Sequence, residues 1–408
     1  MFYGWVIVVV STVGVVMSIP GQTMGVSVFT DSLLEATGLS RLSVSNAYLA
    51  GTLLSGLTLP WGGTLLDRWG ARATGVLASI GLALTLVYLS SVDRLMPAQP
   101  VFRIGGLVLG FYALRFSGQG MLTMVSRTML GRWFRTRRGL AAGVSGVFVS
   151  FGFGAAPLLF DAWIADAGWR GAWREMAVVV AVGMGAVAYL FYRNDPEACG
   201  LEMDGGGTKD EGPSEPEPEV TRGEAIRTLA FWAVTGALAF QALIVTGITF
   251  HVVDLGAAAG LLRDEAVAVF LPMSVVSTFV GLTGGILADR VPVRLLLLVM
   301  MGAQALGIVA ATDLDGLFWL AVAGLGVSGG LFAPISTVAF PRFFGRTHLG
   351  AIAGVEMMCL VIASSLGPSL LAFSQTALGS YNPALFGCLA LPAVAAILAL
   401  GFRNPASR

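Results

Sequence analysis

Arg115 stands inside an apolar run, Tyr112-Ala-Leu-Arg115-Phe-Ser-Gly-Gln119-Gly120, and Gln119 follows it by four residues. On a helix that spacing puts a cation and an amide on one face. A charge at bilayer depth costs at least about 2.5–3.5 kcal/mol on insertion scales, so its presence asks for a reason. Two readings follow from the residues. One is a site for a substrate anion, or a cation that couples to proton movement. The other is a structural Arg held by a carboxylate or by helix carbonyls.

Glu356 is the only acid well inside an apolar segment of the second half. A carboxylate desolvated there favours its protonated form, which suits proton binding and release. Arg127 lies at a similar depth and is its expected partner, so the same residue is read equally as a proton carrier or as half of a gate pair with Arg127 or Arg68. Gln22 and Thr23 sit beside Pro20, Gly21 and Gly25, where a helix is expected to bend mid-membrane, and such interruptions point to binding sites. Gln241 and Gln304 are single amides, a type that often only bonds neighbouring helices. His251 and Asp254 fall at a helix end, as a pH-sensitive element or as a solvated terminus.

The elements that must position these groups follow from composition. Of 408 residues, 56% are hydrophobic and 12% charged, and the mean hydropathy is +0.80. Too little polar surface exists to cover a soluble globule. A helix needs about 20 apolar residues to cross the hydrocarbon core. Spans are expected near 4–30, 42–66, 73–92, 101–131, 139–161, 172–192, 229–252, 265–288, 294–311, 316–340, 348–374 and 383–402. The fold class expected is an all-α membrane protein, with twelve transmembrane helices as two pseudo-symmetric six-helix bundles. Residues 1–193 form the first bundle, 194–225 a linker and 226–408 the second.

The linker carries Lys209-Asp-Glu211 and Pro213-Ser-Glu-Pro-Glu-Pro-Glu219, too polar and acidic to offset ordering entropy, and is expected to be a disordered tether. The net charge of zero gives no pull toward nucleic acid. Three cysteines without CxxC or Cys/His spacing predict neither a disulfide framework nor a metal site, and no cofactor is expected. No nucleophile–base pair shows, so an enzyme is not expected. The first apolar stretch begins at once, without a basic region or cleavage site, and reads as a retained helix.

Arginines fall on alternate turns: Arg68 and Arg72, then Arg132, Arg135, Arg137 and Arg138, and in the second half Arg290 and Arg294, then Arg342 and Arg346. That side is expected to be cytoplasmic, with both termini and the linker. Trp61, Trp133, Trp232 and Trp319, near span ends, read as interfacial anchors.

The halves repeat. Gly63-x-x-x-Asp67-Arg68-x-Gly70-x-Arg72 returns as Gly285-x-x-x-Asp289-Arg290-x-Pro292-x-Arg294, at an offset of 222 (285 − 63). Gly139, Gly143 and Pro157 match Gly350, Gly354 and Pro368 at 211 (350 − 139), which predicts a deletion in the second half's third span or its flanks. Gly139 with Gly143 and Gly350 with Gly354 read as close helix contacts. Gly324-Leu-Gly326-Val-Ser-Gly329 matches a dinucleotide fingerprint, but lies in an apolar helix without a preceding strand and reads as packing.

The paired turn resembles the cytoplasmic signature of the major facilitator superfamily, over the whole chain. The resemblance implies a mid-membrane substrate cavity and rocker-type alternating access. It gives Asp67 a gating role and places Arg68 and Arg72 in the same charge network. Gly63, Asp289, Arg290 and Arg294 complete the gate motif of the two copies. Arg115-x-x-x-Gln119-Gly120 is similar to the family's span-4 Arg/Gln-Gly motif with one residue more. Phe2-Tyr3-Gly4-Trp5-Val6-Ile7-Val8 resembles the start of the monocarboxylate and oxalate/formate branch. That branch usually has a cation in span 8 and often Lys in span 1 or 11. Here Lys209 is the only lysine and span 8 has no interior cation.

The expected function is a secondary transporter for a small organic acid, proton-coupled, with Arg115, Gln119, Gln22, Thr23 and Gln241 binding. It is expected as a monomer in the inner membrane, with a small molecule, H+ and the lipid bilayer as partners. An effluxer of amphiphilic compounds is the alternative, though span 5 has Gly154-Ala-Ala-Pro157 where antiporters of the family carry Gly-Pro-Gly-Gly. A ligand sensor is the alternative of another class.

Overall fold

The computed structural model describes residues 2–205 and 218–402, with the side chain of Asp264 left aside. The acidic core of the linker, residues 206–217, lies outside the described residues, as does its expected disorder. The described chain is helical, and ten helices are long and apolar enough to cross a membrane. Two of them are double. Arg41–Leu89 holds spans 2 and 3, joined where Gly70 takes φ 77°, and Arg138–Phe191 holds spans 5 and 6, joined at Gly168 with φ 69°. The remaining spans are Gly4–Ser27 (span 1), Pro100–Trp133 (4), Leu229–Phe250 (7), Glu265–Arg290 (8), Val293–Ala310 (9), Phe318–Phe344 (10), Leu349–Leu378 (11) and Asn382–Gly401 (12). Twelve spans result, as expected.

Local chemistry sets the ends. The Ser40 hydroxyl accepts from Ser43 N–H to start span 2, and Thr228 accepts from Phe231 N–H to start span 7. Gly38 and Gly379 close helices in the left-handed conformation. Span 1 is interrupted where the sequence predicts it. A 3-10 turn at Ile19–Gly21 and an extended Gln22 (ψ 161°) separate Gly4–Met17 from Thr23–Ser27.

The length difference between the halves falls mainly on the fourth spans, 34 residues in span 4 against 27 in span 10, rather than on the third. Span 4 contains a π-helical stretch, Arg115–Leu122, that the second half does not repeat among its described residues.

Contacts divide the chain into two compact units. One comprises Met1–Trp133, Phe148–Thr208 and Ala353–Met358; the other Phe134–Val147, Lys209–Ile352 and Cys359–Arg408. In the first, Leu59, Leu66, Leu82, Leu86, Leu107, Leu114 and Leu122 are wholly buried. In the second, Ile244, Ile248, Ile308, Leu325, Leu371 and Leu385 form one core. Leu158, Leu271 and Phe279 are exposed, which a soluble protein would not tolerate in such numbers and a lipid-facing surface requires. Trp61, Trp232 and Trp319 are exposed too, as anchors should be. Trp133 is not an anchor: it is fully buried, packs on Phe2 and Tyr3, and donates from Nε1 to the Arg193 carbonyl at 3.1 Å.

Candidate functional site

The break in span 1 and the π-helix of span 4 meet at Gly21 and Gly118. A Cβ on Gly21 would lie 2.7 Å from the Leu114 carbonyl oxygen, and one on Gly118 would lie 2.8 Å from the Gly21 Cα. Only glycines allow this approach. It carries the opened backbone of span 1 onto Arg115, the first residue of the π-helix, and such bulges often occur at functional sites.

Arg115 is 2% exposed. Its Nη1 donates to the Gly21 carbonyl and to the Thr23 hydroxyl, both at 3.3 Å, and the guanidinium lies 5.5 Å from the Tyr48 ring centroid. The Tyr48 hydroxyl donates to the same Thr23 oxygen at 2.9 Å. Among the described residues no carboxylate pairs with Arg115, and its Nε has no acceptor. Gln119 Oε1 is buried without a donor in reach. Two neutral oxygens therefore hold a full positive charge, beside an amide oxygen still wanting a donor. Such an arrangement attracts an anion bearing a hydroxyl or a proton.

Gln22 is on the same polar seam. Its Nε2 donates to Ser18 Oγ at 3.1 Å and Thr123 Oγ1 at 3.4 Å, and Thr123 donates to Ser18 at 3.0 Å. Arg115, Gln119, Gln22 and Thr23 are thus brought together, while Gln241 is buried in the second unit. There a Cβ on Gly329 would sit 3.9 Å from Gln241 Nε2 and 3.5 Å from Ser277 Oγ. Gln304 donates to the Phe240 carbonyl at 3.0 Å and so ties span 9 to span 7. Tyr48, Ser18 and Thr123 escaped the sequence reading. A tyrosine inside a helix signals nothing until its partner is known, although Ser18 borders the predicted bend.

Glu356 is 3% exposed and meets Arg127, with Nη2 to Oε1 at 3.5 Å. The segment Ala353–Met358 that carries it belongs to the first unit.

Each repeat of the charged turn is built into a unit. In the first, Asp67 pairs with Arg132 Nη2 at 2.6 Å, and Arg132 Nη1 donates to Asn194 Oδ1. Arg68 is exposed and Arg72 reaches the Tyr192 carbonyl at 3.5 Å, so the pair on Asp67 comes from the end of span 4. Asn194, at the start of the linker, was not expected here. In the second unit the Asp289 carboxylate accepts from the backbone N–H of Gly139 at 2.7 Å and of Leu140 at 3.0 Å, capping span 5. Arg342 donates to the Ala288 and Val291 carbonyls. Arg290 and Arg294 are exposed.

The glycines make the same contact twice. A Cβ on Gly354 would lie 3.3 Å from Gly63 Cα in the first unit, and one on Gly285 3.2 Å from Gly143 Cα in the second. The fingerprint-like glycines are packing residues, since a Cβ on Gly324 would fall 2.4 Å from Gly307 N.

Outside the spans, the carboxyl of Glu224 is held below the usual range by hydrogen bonds from the Thr221 hydroxyl and backbone, a capping box that starts the short helix Arg222–Ala225. Among the described residues no group of His, Cys, Asp or Glu could hold a metal ion.

Ten long apolar helices, two of them double, with a repeated charged turn and a buried unpaired cation, define a multi-pass membrane protein built as a carrier. The chain belongs to the Major Facilitator Superfamily, whose family model matches residues 6–368. It has that family's fold, and the family is one of transporters rather than enzymes. An uncharacterized 38 kDa protein in the 23S RNA operon of Thermoproteus tenax is 24% identical over 382 residues, 92% of this chain and 90% of the relative. Monocarboxylate transporter 14 of Mus musculus is 30% identical over 177 residues, 41% of this chain and 31% of the relative. Among solved structures, the proton:xylose symporter XylE matches with a TM-score of 0.68 at 15% identity, over 98% of this chain and 96% of that one. The Escherichia coli fucose:proton symporter FucP matches at 0.67 and 12%, over 98% and 99%.

Proposed function

We propose that the chain is a secondary transporter of a small organic acid, with Arg115 as the group that holds the carboxylate. The carrying observation is the buried guanidinium bound by a carbonyl and a hydroxyl and, among the described residues, by no carboxylate. A substrate carboxylate would supply the missing counter-charge and could accept both from the guanidinium and from the Tyr48 or Thr23 hydroxyl. Gln119 and Gln22 line the same seam. The partial likeness to a monocarboxylate transporter supports the substrate class.

Glu356 and Arg127 serve proton coupling or a gate. The turns at 63–72 and 285–294 act as the gate motif of alternating access: Asp67 through Arg132, and Asp289 through the start of span 5. The arginine-rich turns support a cytoplasmic side for the termini and linker, and the proposed carrier is a monomer of the inner membrane.

The test is binding. Purified wild-type protein should bind a monocarboxylate of its transported class, and Arg115→Gln should weaken that binding at least about tenfold, the loss of one charge-assisted contact. Unchanged affinity in a folded Arg115→Gln protein would remove Arg115 from the site.

A further inference from the structure

At the end of span 7, His251 is buried where the sequence also allowed a solvated terminus: its side chain is 8% exposed, against 63% for Asp254. Its Nε2 lies 3.0 Å from the Pro368 carbonyl of span 11. Its Nδ1 lies 3.3 Å from the Tyr381 hydroxyl and 3.7 Å from Asp254 Oδ2, and Tyr381 lies 3.3 Å from that same carboxylate oxygen. Two turns earlier on span 7 the two helices touch: a Cβ on Gly367 would fall 2.1 Å from the Leu243 carbonyl oxygen.

Counting hydrogens shows what the cluster lacks. A carbonyl only accepts, so Nε2 carries a proton and donates it to Pro368. In the neutral ring Nδ1 is then an acceptor. Tyr381 has one phenolic hydrogen and two acceptors for it, Nδ1 and Asp254, at equal distance. Burial first, and then the Asp254 carboxylate, push the Tyr381 phenol up, so it stays a neutral donor. A second proton on the imidazole resolves the competition. Nδ1–H then donates to Tyr381, Tyr381 donates to Asp254, and the imidazolium faces the carboxylate.

The fold does not require a titratable group here. The equivalent position of the first half, 222 residues earlier (251 − 222), is Phe29, buried against Phe160 and Trp173 in an all-aromatic cluster. Among the described residues, the titratable groups that meet the His251 ring are Asp254 and Tyr381; Phe250 adds a ring face. The Cys388 thiol of span 12 shares the core around Tyr381, whose other members are apolar.

We propose that His251, Tyr381, Asp254 and the Pro368 carbonyl form a proton-binding site, occupied from the exposed Asp254 side, whose protonation strengthens the existing bond from the end of span 7 to span 11 and locks the end of span 7 to Tyr381 at the start of span 12. It is separate from Arg115 and Glu356 and independent of the substrate reading.

The chain has two histidines, so nitrogen-15 histidine labelling of the full protein in nanodiscs resolves each, with His348 as internal reference. At high pH His251 should be the Nε2–H tautomer and should gain a proton on Nδ1 on acidification. Asp254→Asn removes the carboxylate that faces the ring and should make this protonation harder, and should leave His348 in place. Amide exchange in residues 243–255 and 365–372 should slow about threefold or more as His251 titrates, a factor under 1 kcal/mol. That slowing should vanish in His251→Phe, the residue of the first half, with His251→Gln as a second folded variant. An Nδ1–H tautomer, a midpoint indifferent to Asp254→Asn, or exchange in these segments independent of pH would each overturn the site.

Discussion

Asp289 holds the first turn of span 5 by its free backbone: its two oxygens accept from the N–H groups of Gly139 and Leu140, at 2.7 and 3.0 Å. Those N–H groups have no helical acceptor, and the helix dipole is positive there. The acid of the repeated turn is thus an N-cap supplied from span 8, from far away in sequence. Asp289→Ala should cost about 1–2 kcal/mol of stability, and Asp289→Asn should recover most of the hydrogen bonding but not the charge. Thermal unfolding of the purified protein checks the order wild type, Asn, Ala. Equal midpoints for all three would mean the cap contributes nothing.

Gly139 also meets span 8 through its missing side chain. A Cβ there would lie 2.0 Å from the Gly285 carbonyl oxygen, whereas one on Gly146 meets nothing within 4 Å. Gly139→Val should therefore destabilise by about 1–3 kcal/mol or force the helices apart. Gly146→Ala should be neutral or slightly stabilising. Similar behaviour of the two in unfolding and in cross-linking of span 5 to span 8 would contradict the contact.

Gly70 and Pro292 occupy the same place in the repeat, yet the turns differ. Gly70 takes φ 77° and ψ 170°, a conformation open almost only to glycine. Its counterpart is ordinary extended backbone, with Pro292 at φ −61° and ψ 134°. Gly70→Ala should cost about 1–3 kcal/mol, while Pro292→Gly should cost less than about 1 kcal/mol. Denaturation midpoints of the two variants test this, and a reversed order would refute it.

Glu356→Gln keeps the shape of the side chain and removes its charge. If the residue carries the coupled proton, gradient-driven uptake should fall to background while counterflow exchange persists. Loss of both would assign Glu356 and Arg127 to structure or gating.

The elements were legible because membrane spans announce themselves through length and apolarity, and the charged turns are fixed by repetition. Even the break in span 1 was marked by Pro20, Gly21 and Gly25. What stayed hidden was pairing. Arg132 has the look of a topogenic arginine, and nothing in the sequence says that it, rather than Arg68 or Arg72, meets Asp67 in this structure. Trp133 sits at a span end, where tryptophans usually face the interface, but Phe2 and Tyr3 cover it. The π-helix that begins at Arg115 leaves no periodic signature in a stretch of eight residues. Arg115 and Gln119 were found from chemistry alone; Tyr48 and Thr123 needed the fold.

The most direct measurement is uptake of labelled carboxylates, amino acids and sugars into proteoliposomes holding wild type, Arg115→Gln or Arg115→Lys, with and without an imposed pH gradient. A carboxylate accumulated by wild type under the gradient, lost in Arg115→Gln and partly kept in Arg115→Lys, is the expected result. Undiminished carboxylate uptake by Arg115→Gln, or accumulation of uncharged sugars alone, would contradict it.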